Sequence, residues 1–580
     1  MREITDELRR LTPDECLALR ARGCDAEDWV EVFVSDDFEV QQLWRVRLSG
    51  RVEIGRGVKI TESYVANYSI GEGSVVEDVT RLECRAESSF GVGVEVSTIN
   101  ENGGRRVAIV PQLTSQVGYL WAMNRHRAGL LERLHSMAEA EASECRSGVG
   151  RIGRRCRIVG ARFIRECAVC DGVTIDGASL LECGTILDGA YVGVDVKARE
   201  FVVAEGARVD TGATMERCFV GECSIVAAGF SAVESLIFAN SHLENGEAAA
   251  IFAGAHTVSH HKSSLLIAGL FSHFNAGSGT NQSNHLFKTG AVHQAIHLRG
   301  CKFASGAYVM APAREGAFTM VKGAHNHHHD TLVFPYSYLI EEDGRSKLMP
   351  AANLSSYGTM RDISKWAARD KRSVRRDIIN YEEHNPYITS LMLRGVNALH
   401  TMQEANEGSD EYLYERVVIR STHLKRGVTL YNKAVAASLG AMLSRGEARD
   451  GGVDVAGEWI DLGGAYMPLQ YVEGVMDRIE SGELASFDSI DEEFRTFAAE
   501  YDDHAHRWAL QLLAQMLGHT PDAEEVASMR MSAASCEEEL AKLCARDGAR
   551  DNSLSMAVGY GNDYDNEAIR EADYRAVRGL

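Results

Sequence analysis

The amino-acid sequence predicts a mainly β protein: a single-stranded, left-handed parallel β-helix with an inserted helical arm, followed by an α-helical C-terminal region. The main observation is a spacing of six between aliphatic residues, in Val169, Ile175, Leu181 and Leu187 and again in Val203, Val209 and Met215. Small, glycine-containing triplets such as Asp176-Gly177-Ala178 separate these residues. A β-helix bends about every six residues, buries one aliphatic side chain per hexad and turns through small residues, so three hexads close a coil of roughly 18 residues. Ordinary strands alternate with a period of two and do not hold a period of six.

Changes in periodicity divide the chain into six predicted segments. The first is a mixed α/β cap with a helix start at Thr12-Pro13-Asp14-Glu15, where Thr12 is a candidate N-cap and Glu15 occupies the third helical position. Helical periodicity interrupts the hexads from Gln116 and returns after Arg375. The segments are the cap at 1–49, a first β-helix section at 50–115, a helical insertion at 116–147, the main β-helix with a His/Asn-rich section at 148–350, a basic connector at 351–376 and the α-helical C-terminal region at 377–580.

The C-terminal region is expected to hold five helices. Its apolar residues recur near a period of 3.6, and glycine-containing loops separate the periodic stretches. The predicted helices are 377–405, 411–445, 465–482, 489–517 and 522–546.

Composition and charge exclude several classes of protein. The formal net charge is −22, from 83 acidic and 61 basic residues, and such a surface repels nucleic-acid phosphates and anionic membranes. The N-terminus lacks the apolar core of a signal peptide, and no apolar stretch approaches the ~20 residues that span a membrane. The 13 cysteines are scattered without a pair of C-x-x-C motifs, which predicts buried thiols in a reducing cytoplasm.

The densest group of polar residues lies between His256 and His329, which include eleven of the 20 histidines. Three hypotheses remain open for it. One histidine acts as a general base on a hydroxyl or amine, with neighbouring asparagines and backbone N–H groups stabilising an oxyanion. Alternatively, two or three histidines bind a metal such as zinc that activates water. In the third hypothesis these residues form stacked polar ladders and subunit contacts, and His327-His328-His329 is an exposed loop.

A basic cluster follows at the junction between the β-helix and the helical region. It contains Arg361, Lys365, Arg369, Lys371, Arg372, Arg375 and Arg376. In an acidic chain, such a cluster is suited to bind a phosphate or carboxylate of a substrate. A solvated helix face or a set of salt bridges between domains explains it equally well.

A set of short motifs lies along the chain: Gly23-Cys24-Asp25-Ala26-Glu27-Asp28-Trp29, Ala66-Asn67-Tyr68-Ser69-Ile70-Gly71, Phe90-Gly91-Val92-Gly93-Val94-Glu95-Val96, Asn100-Glu101-Asn102-Gly103-Gly104-Arg105, His260-His261-Lys262, Ser283-Asn284-His285, Phe334-Pro335-Tyr336-Ser337-Tyr338-Leu339 and Arg369-Asp370-Lys371-Arg372. These motifs resemble those of a bacterial family labelled only as a domain of unknown function, which belongs to the trimeric hexapeptide-repeat superfamily typified by sugar acyltransferases. The resemblance covers nearly the whole chain. It implies the β-helix and the helical C-terminal region but brings no established reaction. The wider superfamily implies acyl transfer with a His base and a groove between subunits, and the absence of a nucleotidyltransferase half argues against pyrophosphorylase activity.

The residues and the resemblance together predict an acyl- or acetyltransferase acting on a sugar or nucleotide sugar. The candidate catalytic residues are His285, His261 and His260 as bases, with Asn284 and Asn275 orienting the substrate or stabilising the oxyanion. The candidate substrate-binding residues are Lys262, Lys288, His293, Arg361, Lys365, Arg369 and Arg372. Acyl-CoA is the suspected cofactor, a His-bound metal remains open without assigned ligands, and we expect a cytoplasmic homotrimer. The alternatives are a metal enzyme like the γ-type carbonic anhydrases and a non-catalytic trimeric scaffold or binding protein.

Overall fold

The computed structural model of the protein describes residues 8–285, 290–446 and 453–578. Within these ranges the structure is mainly β, with a β-solenoid of about 18 turns and eleven helices, several of them in the C-terminal region. The prediction of a β-helix architecture is confirmed at this level. In the described part of the chain, no helix is both long enough and apolar enough to cross a membrane.

Each coil of the solenoid has three walls, and two of them are the arms of one bent strand. The bend is a single residue with a left-handed backbone conformation. In five successive coils this residue is Glu166, Cys183, Glu200, Arg217 or Glu234, with φ between 45° and 53°. Because residues with a Cβ rarely adopt positive φ, the bend is a conformational constraint that recurs from coil to coil.

The strands pair in parallel from coil to coil, except at the ends of the solenoid. At its start, Leu8–Arg10 pairs antiparallel with Val32–Ser35. The other strands of the bent walls are Asp25–Ala26, Arg47–Ile54, Tyr64–Ile70, Arg81–Glu83, Gly150–Ile152, Phe163–Val169, Leu180–Ile186, Lys197–Val203, Thr214–Val220, Ser231–Ile237, Glu247–Ala249, Phe252–Ala253, Leu265–Ile267, Gly269–Phe271, Asn281–Ser283, Ala295–His297, Tyr308–Met310, Ala313–Glu315, Ala324–His325 and His329–Thr331. The third wall comprises Leu43–Trp44, Lys59–Thr61, Val75–Glu77, Arg157–Val159, Thr174–Asp176, Tyr191–Val192, Arg208–Val209, Ile225–Ala227, His242–Glu244, Val258–Ser259, Asn275–Ala276, Lys302–Phe303, Met320–Lys322 and Tyr338–Glu342.

The coil repeat in the regular part of the solenoid is 17 residues, one fewer than three hexads. The residues in register on the third wall are Ile158, Ile175, Val192, Val209, Val226 and Leu243. Within a coil, buried positions are six residues apart except across the bend, where the step from Leu181 to Ile186 is five. Ile186, not Leu187, therefore lies in register with Val169. A single left-handed residue bends the strand, and this bend takes fewer residues than a turn triplet.

The chain leaves the solenoid after Glu83 and returns at Gly150, and the wall continues without a gap because Gly150–Ile152 pairs directly with Tyr68–Ile70. We call residues 84–149 the excursion. It lies along the line of bend residues: Arg85 binds Glu166 (backbone N–H to Oε1, 2.9 Å), and Ser97 N–H donates to Glu234 (2.6 Å). Gly91 has φ 81°, and a Cβ there would lie 2.6 Å from the carbonyl oxygen of Cys183, so only glycine permits this approach.

The helices are α1 Pro13–Ala21, α2 Ser115–Met123, α3 Ala128–Cys145, α4 Tyr357–Arg369, α5 Pro386–Ala405, α6 Ser421–Ser444, α7 Leu469–Ser481, α8 Phe487–Ala499, α9 Tyr501–Leu517, α10 Ala523–Asp551 and α11 Glu567–Arg578. Short 3₁₀ turns occur at Trp29–Glu31, Val40–Gln42, Ala352–Ser355 and Leu554–Met556. Four antiparallel pairs complete the fold: Glu95–Ser97 with Arg106–Ala108, Tyr338–Glu342 with Arg345–Met349, Glu411–Tyr414 with Val417–Arg420, and Trp459–Leu462 with Ala465–Pro468.

The capping box predicted for α1 is confirmed, because the Thr12 side chain accepts from Glu15 N–H and the Glu15 carboxylate accepts from Thr12 N–H. The C-terminal helices differ from their predicted bounds. The predicted helix 377–405 begins at Pro386, where Asn385 is the N-cap. Residues 411–420 form a β-hairpin instead of the first part of a helix.

A buried arginine joins the solenoid to the C-terminal region. Arg299 makes two hydrogen bonds to the carboxylate of Asp461 (2.8 and 3.2 Å) and donates to the carbonyl oxygens of Asn380 (2.5 Å) and Gly464 (2.6 Å). Its guanidinium also lies 4.3 Å from the ring centroid of Tyr466. Every one of these partners belongs to the C-terminal region, so this side chain fixes the two parts relative to each other.

We expect Arg299→Met to destabilise the protein by about 3–5 kcal/mol, because it leaves Asp461 buried without its counter-charge. Urea denaturation followed by circular dichroism measures the loss. Adding Asp461→Asn should recover part of it. The matched control is Arg345→Met, which removes an exposed pair with Glu411 and should cost less than about 1 kcal/mol. Equal losses for both arginines would contradict the assignment.

Candidate functional site

A cavity of about 460 Å³ lies at the bend of the solenoid. It forms at the last three bends, where more than one residue separates the two flanking strands: Ser283 from Ala295, Met310 from Ala313 and His325 from His329. Residues 99–123 of the excursion and the turn of the 411–420 hairpin complete its walls. We call it the bend cavity, and its lining residues are Ile99, Arg105, Met123, Gln294, Ile296, Pro312, Ala313, Arg314, His328, His329, Asp330, Glu415 and Arg416.

Three arginines line the bend cavity and outnumber its two carboxylates, Asp330 and Glu415. Arg105 donates to the side-chain oxygen of Gln294 (2.8 Å) and to the carbonyl of Ala122 (2.8 Å), both uncharged acceptors. Burial and the nearby Arg125 lower the pKa of Arg105. Arg314 is paired with Asp330 (Nε to Oδ2, 3.0 Å), and Arg416 sits at a hairpin turn with φ 67°. An anionic ligand would supply the counter-charge that Gln294 and Ala122 do not.

Two adjacent histidines in the bend cavity have opposite pKa shifts. Burial, and then the charge of Arg416, lowers the pKa of His328, whose Nδ1 is buried without a hydrogen-bond partner among the described residues. Burial alone would also lower the pKa of His329, but its hydrogen bond to Glu315 (Nε2 to Oε1, 2.6 Å) and the charge of Glu315 outweigh burial and raise it. Compared with a free imidazole, the surroundings of His328 therefore favour its neutral form and those of His329 favour its protonated form.

Glu315 connects the bend cavity to the interior of the solenoid. It is fully buried and accepts from His329 on one carboxylate oxygen and from Nδ1 of His297 on the other. Burial opposes its ionisation, but the charges and hydrogen bonds of the two histidines hold the pKa of Glu315 well below its usual range. His297 and Glu315 are in register on neighbouring coils, in places that aliphatic residues occupy elsewhere. A buried carboxylate persists here because both of its oxygens are paired.

Two of the sequence-predicted residues lie in this part of the molecule. Asn284 is fully buried, and its amide donates to Glu101 (2.5 Å), which ties the end of the excursion to the solenoid. His293 is close enough to His328 to contribute to the lowering of its pKa. Both belong to the connection that opens the first of the three bends.

The other predicted catalytic residues lie elsewhere. His260, His261 and Lys262 are exposed at a turn before Leu265–Ile267, and the His260 ring lies 4.2 Å from that of His242. Asn275 is exposed on the third wall. His285 is exposed at the end of a described range, and Lys288 lies outside the described residues. None of these described residues lines the bend cavity.

The basic cluster has separate locations for its members. Arg372 is buried and binds Asp370 (2.9 and 3.0 Å) and Glu222 (2.9 Å), which joins the connector to the solenoid. Arg369 is exposed at the end of α4. Arg361 and Lys365 line a second cavity of about 630 Å³, between α4, α6 and α10, which we call the helix cavity.

The sequence analysis did not assign Arg105, Gln294 or Arg416 to a site. The same holds for Glu315 and its partner His297. Arg105 was visible only as the last residue of the motif Asn100–Arg105, and Arg416 lay inside a stretch interpreted as helix. Among residues 8–285, 290–446 and 453–578, no three His, Cys, Asp or Glu side chains come together as a metal site would require.

The fold and the bend cavity define a β-solenoid protein with a cationic, histidine-containing cavity. The chain belongs to the family described as "Domain of unknown function (DUF4954)", which matches residues 8–63 and 57–403. A second description, "Domain of unknown function (DUF6819)", matches residues 449–580. The chain is also 21% identical over 592 residues to an "Uncharacterized protein" of Treponema pallidum (strain Nichols), with 87% of this chain and 82% of the relative covered.

The two cavity imidazoles should titrate on opposite sides of the ordinary histidine pKa of about 6.5. His329 should titrate above it because protonation strengthens its bond to Glu315, and His328 below it because burial and Arg416 disfavour its charge. Selective ¹³Cε1-histidine labelling and NMR titration measure both, with His328→Gln and His329→Gln assigning the signals. Because the pKa of His329 is raised by folding, its contribution to stability is lost as the pH rises through that pKa.

Glu315→Gln supplies the control for this titration. It removes the carboxylate charge and should lower the pKa of His329 while leaving His328 below 6.5. Coincident titration of His328 and His329 in the wild-type protein would refute the assignment.

Proposed function

We propose that the protein is a hexapeptide-repeat transferase that moves an acyl group from acyl-CoA to a hydroxyl or amine of a phosphate-bearing sugar in the bend cavity. The observation that carries the proposal is the pair His328 and His329 in one cavity, one imidazole neutral and the other favouring protonation. Such a pair supplies a general base and a cationic hydrogen-bond donor for an oxyanion. Arg105 and Arg416 are placed to bind a phosphate of the sugar or of the acyl donor.

In this proposal His328 takes the proton of the acceptor hydroxyl or amine as that atom attacks the thioester carbonyl. The carbonyl oxygen becomes an oxyanion, and the protonated His329 stabilises it through Nδ1–H, whose hydrogen bond to the His327 carbonyl is long at 3.3 Å. Collapse of the intermediate breaks the carbon–sulfur bond, and the thiolate receives a proton from the imidazolium of His328. The products are the acylated sugar and free coenzyme A thiol.

The same proposal includes the finer features of the fold and its setting. The aliphatic spacing favours a left-handed solenoid, and the resemblance to the hexapeptide-repeat superfamily together with the polar, His-rich section favours a homotrimer. All thirteen cysteines are free thiols, which supports a reducing cytoplasm as the location.

Isothermal titration calorimetry with acetyl-CoA and longer acyl-CoAs tests the donor. We expect binding, a loss of affinity of about tenfold in Arg105→Gln for one lost phosphate contact, and unchanged affinity in His328→Gln. In a transfer assay with phosphorylated sugars, His328→Gln should lower the rate by about 10²–10⁴. His519→Gln, on an exposed loop after α9, should match the wild type in both. Absence of binding across the acyl-CoA series would retire the acyltransferase proposal.

Mass photometry tests the assembly. A trimer should give three times the chain mass of 63.6 kDa. A single species at the mass of one chain, at concentrations up to the micromolar range, would contradict the trimer.

A further inference from the structure

The helix cavity is a second chamber of the protein, separate from the bend cavity. Its volume of about 630 Å³ falls in the range of small-molecule sites. Small residues on the facing sides of α6 and α10, such as Ala437 and Ala541, leave this space open, and Leu354 and Met392 add apolar wall. The cavity is therefore suited to an apolar body of several carbon atoms.

The cationic side chains of the helix cavity are already engaged. Arg361 makes two hydrogen bonds to the carboxylate of Asp362 (3.2 and 2.9 Å). Lys365 also has an interaction partner. The charge of Arg361 is therefore already paired with a carboxylate of the protein.

The carboxyl groups of the helix cavity have a different status. Within the described ranges, the side chain of Glu383 has no hydrogen bond or ion pair, although most of it is buried. Burial, and then the nearby Glu537, raises the pKa of Glu383. A carboxyl group in this position is poorly stabilised by the protein itself and gains most from a cation brought by a ligand.

The remaining polar groups around Glu383 are neutral. The imidazole of His384 contacts the hydroxyl of Ser438 (3.0 Å), and burial lowers the pKa of His384 to about 4. Tyr336 is buried, and burial raises the pKa of its phenol well above the ordinary value. Neither group supplies the counter-charge that Glu383 lacks.

We propose that the helix cavity binds a ligand that carries an ammonium group on an apolar body, with Glu383 as its counter-ion. The ammonium group would pair with the Glu383 carboxylate, and Glu537 at the more exposed side would add a second negative charge. The apolar body would lie against Leu354, Met392 and the alanines of α6 and α10. This site does not depend on the transferase proposal, because it shares no residue with the bend cavity.

Calorimetry of the full chain with three probes of equal length tests the ligand class. The probes are n-hexylamine, n-hexanol and n-hexanoate. We expect n-hexylamine to bind at least about tenfold more tightly than n-hexanol, because a charge-assisted hydrogen bond contributes about 1.5–3 kcal/mol. Equal affinity for hexylamine and hexanol would overturn the proposal. Preference for hexanoate would also overturn it, and would assign the cavity to anions through Arg361 and Lys365.

Two variants locate the binding site. Glu383→Gln keeps the shape of the side chain and should erase the advantage of hexylamine over hexanol, whereas Glu538→Gln, an exposed neighbour on α10 that does not line the cavity, should retain it. Ala437→Phe should fill the cavity and abolish binding of both probes. Thermal melts of each variant establish that it is folded. Undiminished hexylamine binding in folded Glu383→Gln or Ala437→Phe would overturn the proposal.

Discussion

The constraint on which the structure depends is the stacking of one buried side chain per wall on its counterpart in the next coil. With a repeat of 17 residues, each aliphatic position must meet the same position one coil later, and any insertion has to be accommodated outside the walls. The bends are the places where insertions are accommodated. A single left-handed residue at each bend keeps the two flanking arms in register, and the whole excursion leaves the wall without disturbing the ladder on either side.

The bend line is also where the solenoid becomes chemically varied. Because side chains at the bends point away from the stacked interior, Glu166 and Glu234 are available to bind the excursion. The last three bends lengthen into loops, and the space between those loops, the excursion and the 411–420 hairpin becomes the bend cavity. A departure from the regular coil therefore creates the candidate site, while the regular coils hold its walls in place.

The sequence predicted the architecture better than the site. The aliphatic spacing that identified the solenoid is a local property, because neighbouring hexads report the same period. The spacing of six predicts Leu187 as the stacked residue in place of Ile186, because the step across the bend is five residues. The 411–420 hairpin was read as helix because its partner strand and the edge at Lys347 cannot be seen from local periodicity. The predicted start of α5 was wrong although the local sequence Asn385-Pro386 is itself a signal for the start of a helix.

The prediction of the candidate site had a different difficulty. The sequence marks the histidine-rich section as unusual, and two of its histidines line the cavity. His260 and His261 are exposed, whereas His328 and His329 are covered by other elements of the fold. Local sequence does not show which histidines will be covered. Arg105 and Arg416 reach the same cavity from positions 311 residues apart in the chain, which no short motif records. The polar pair His297 and Glu315 also depends on contacts between coils. The Glu315 carboxylate is tolerated in an aliphatic position only because the coils on either side supply a histidine to each of its oxygens. The stacking that excludes water from the solenoid interior thus also strengthens the bond between Glu315 and His329, and through it the protein interior sets the protonation of a group in the bend cavity.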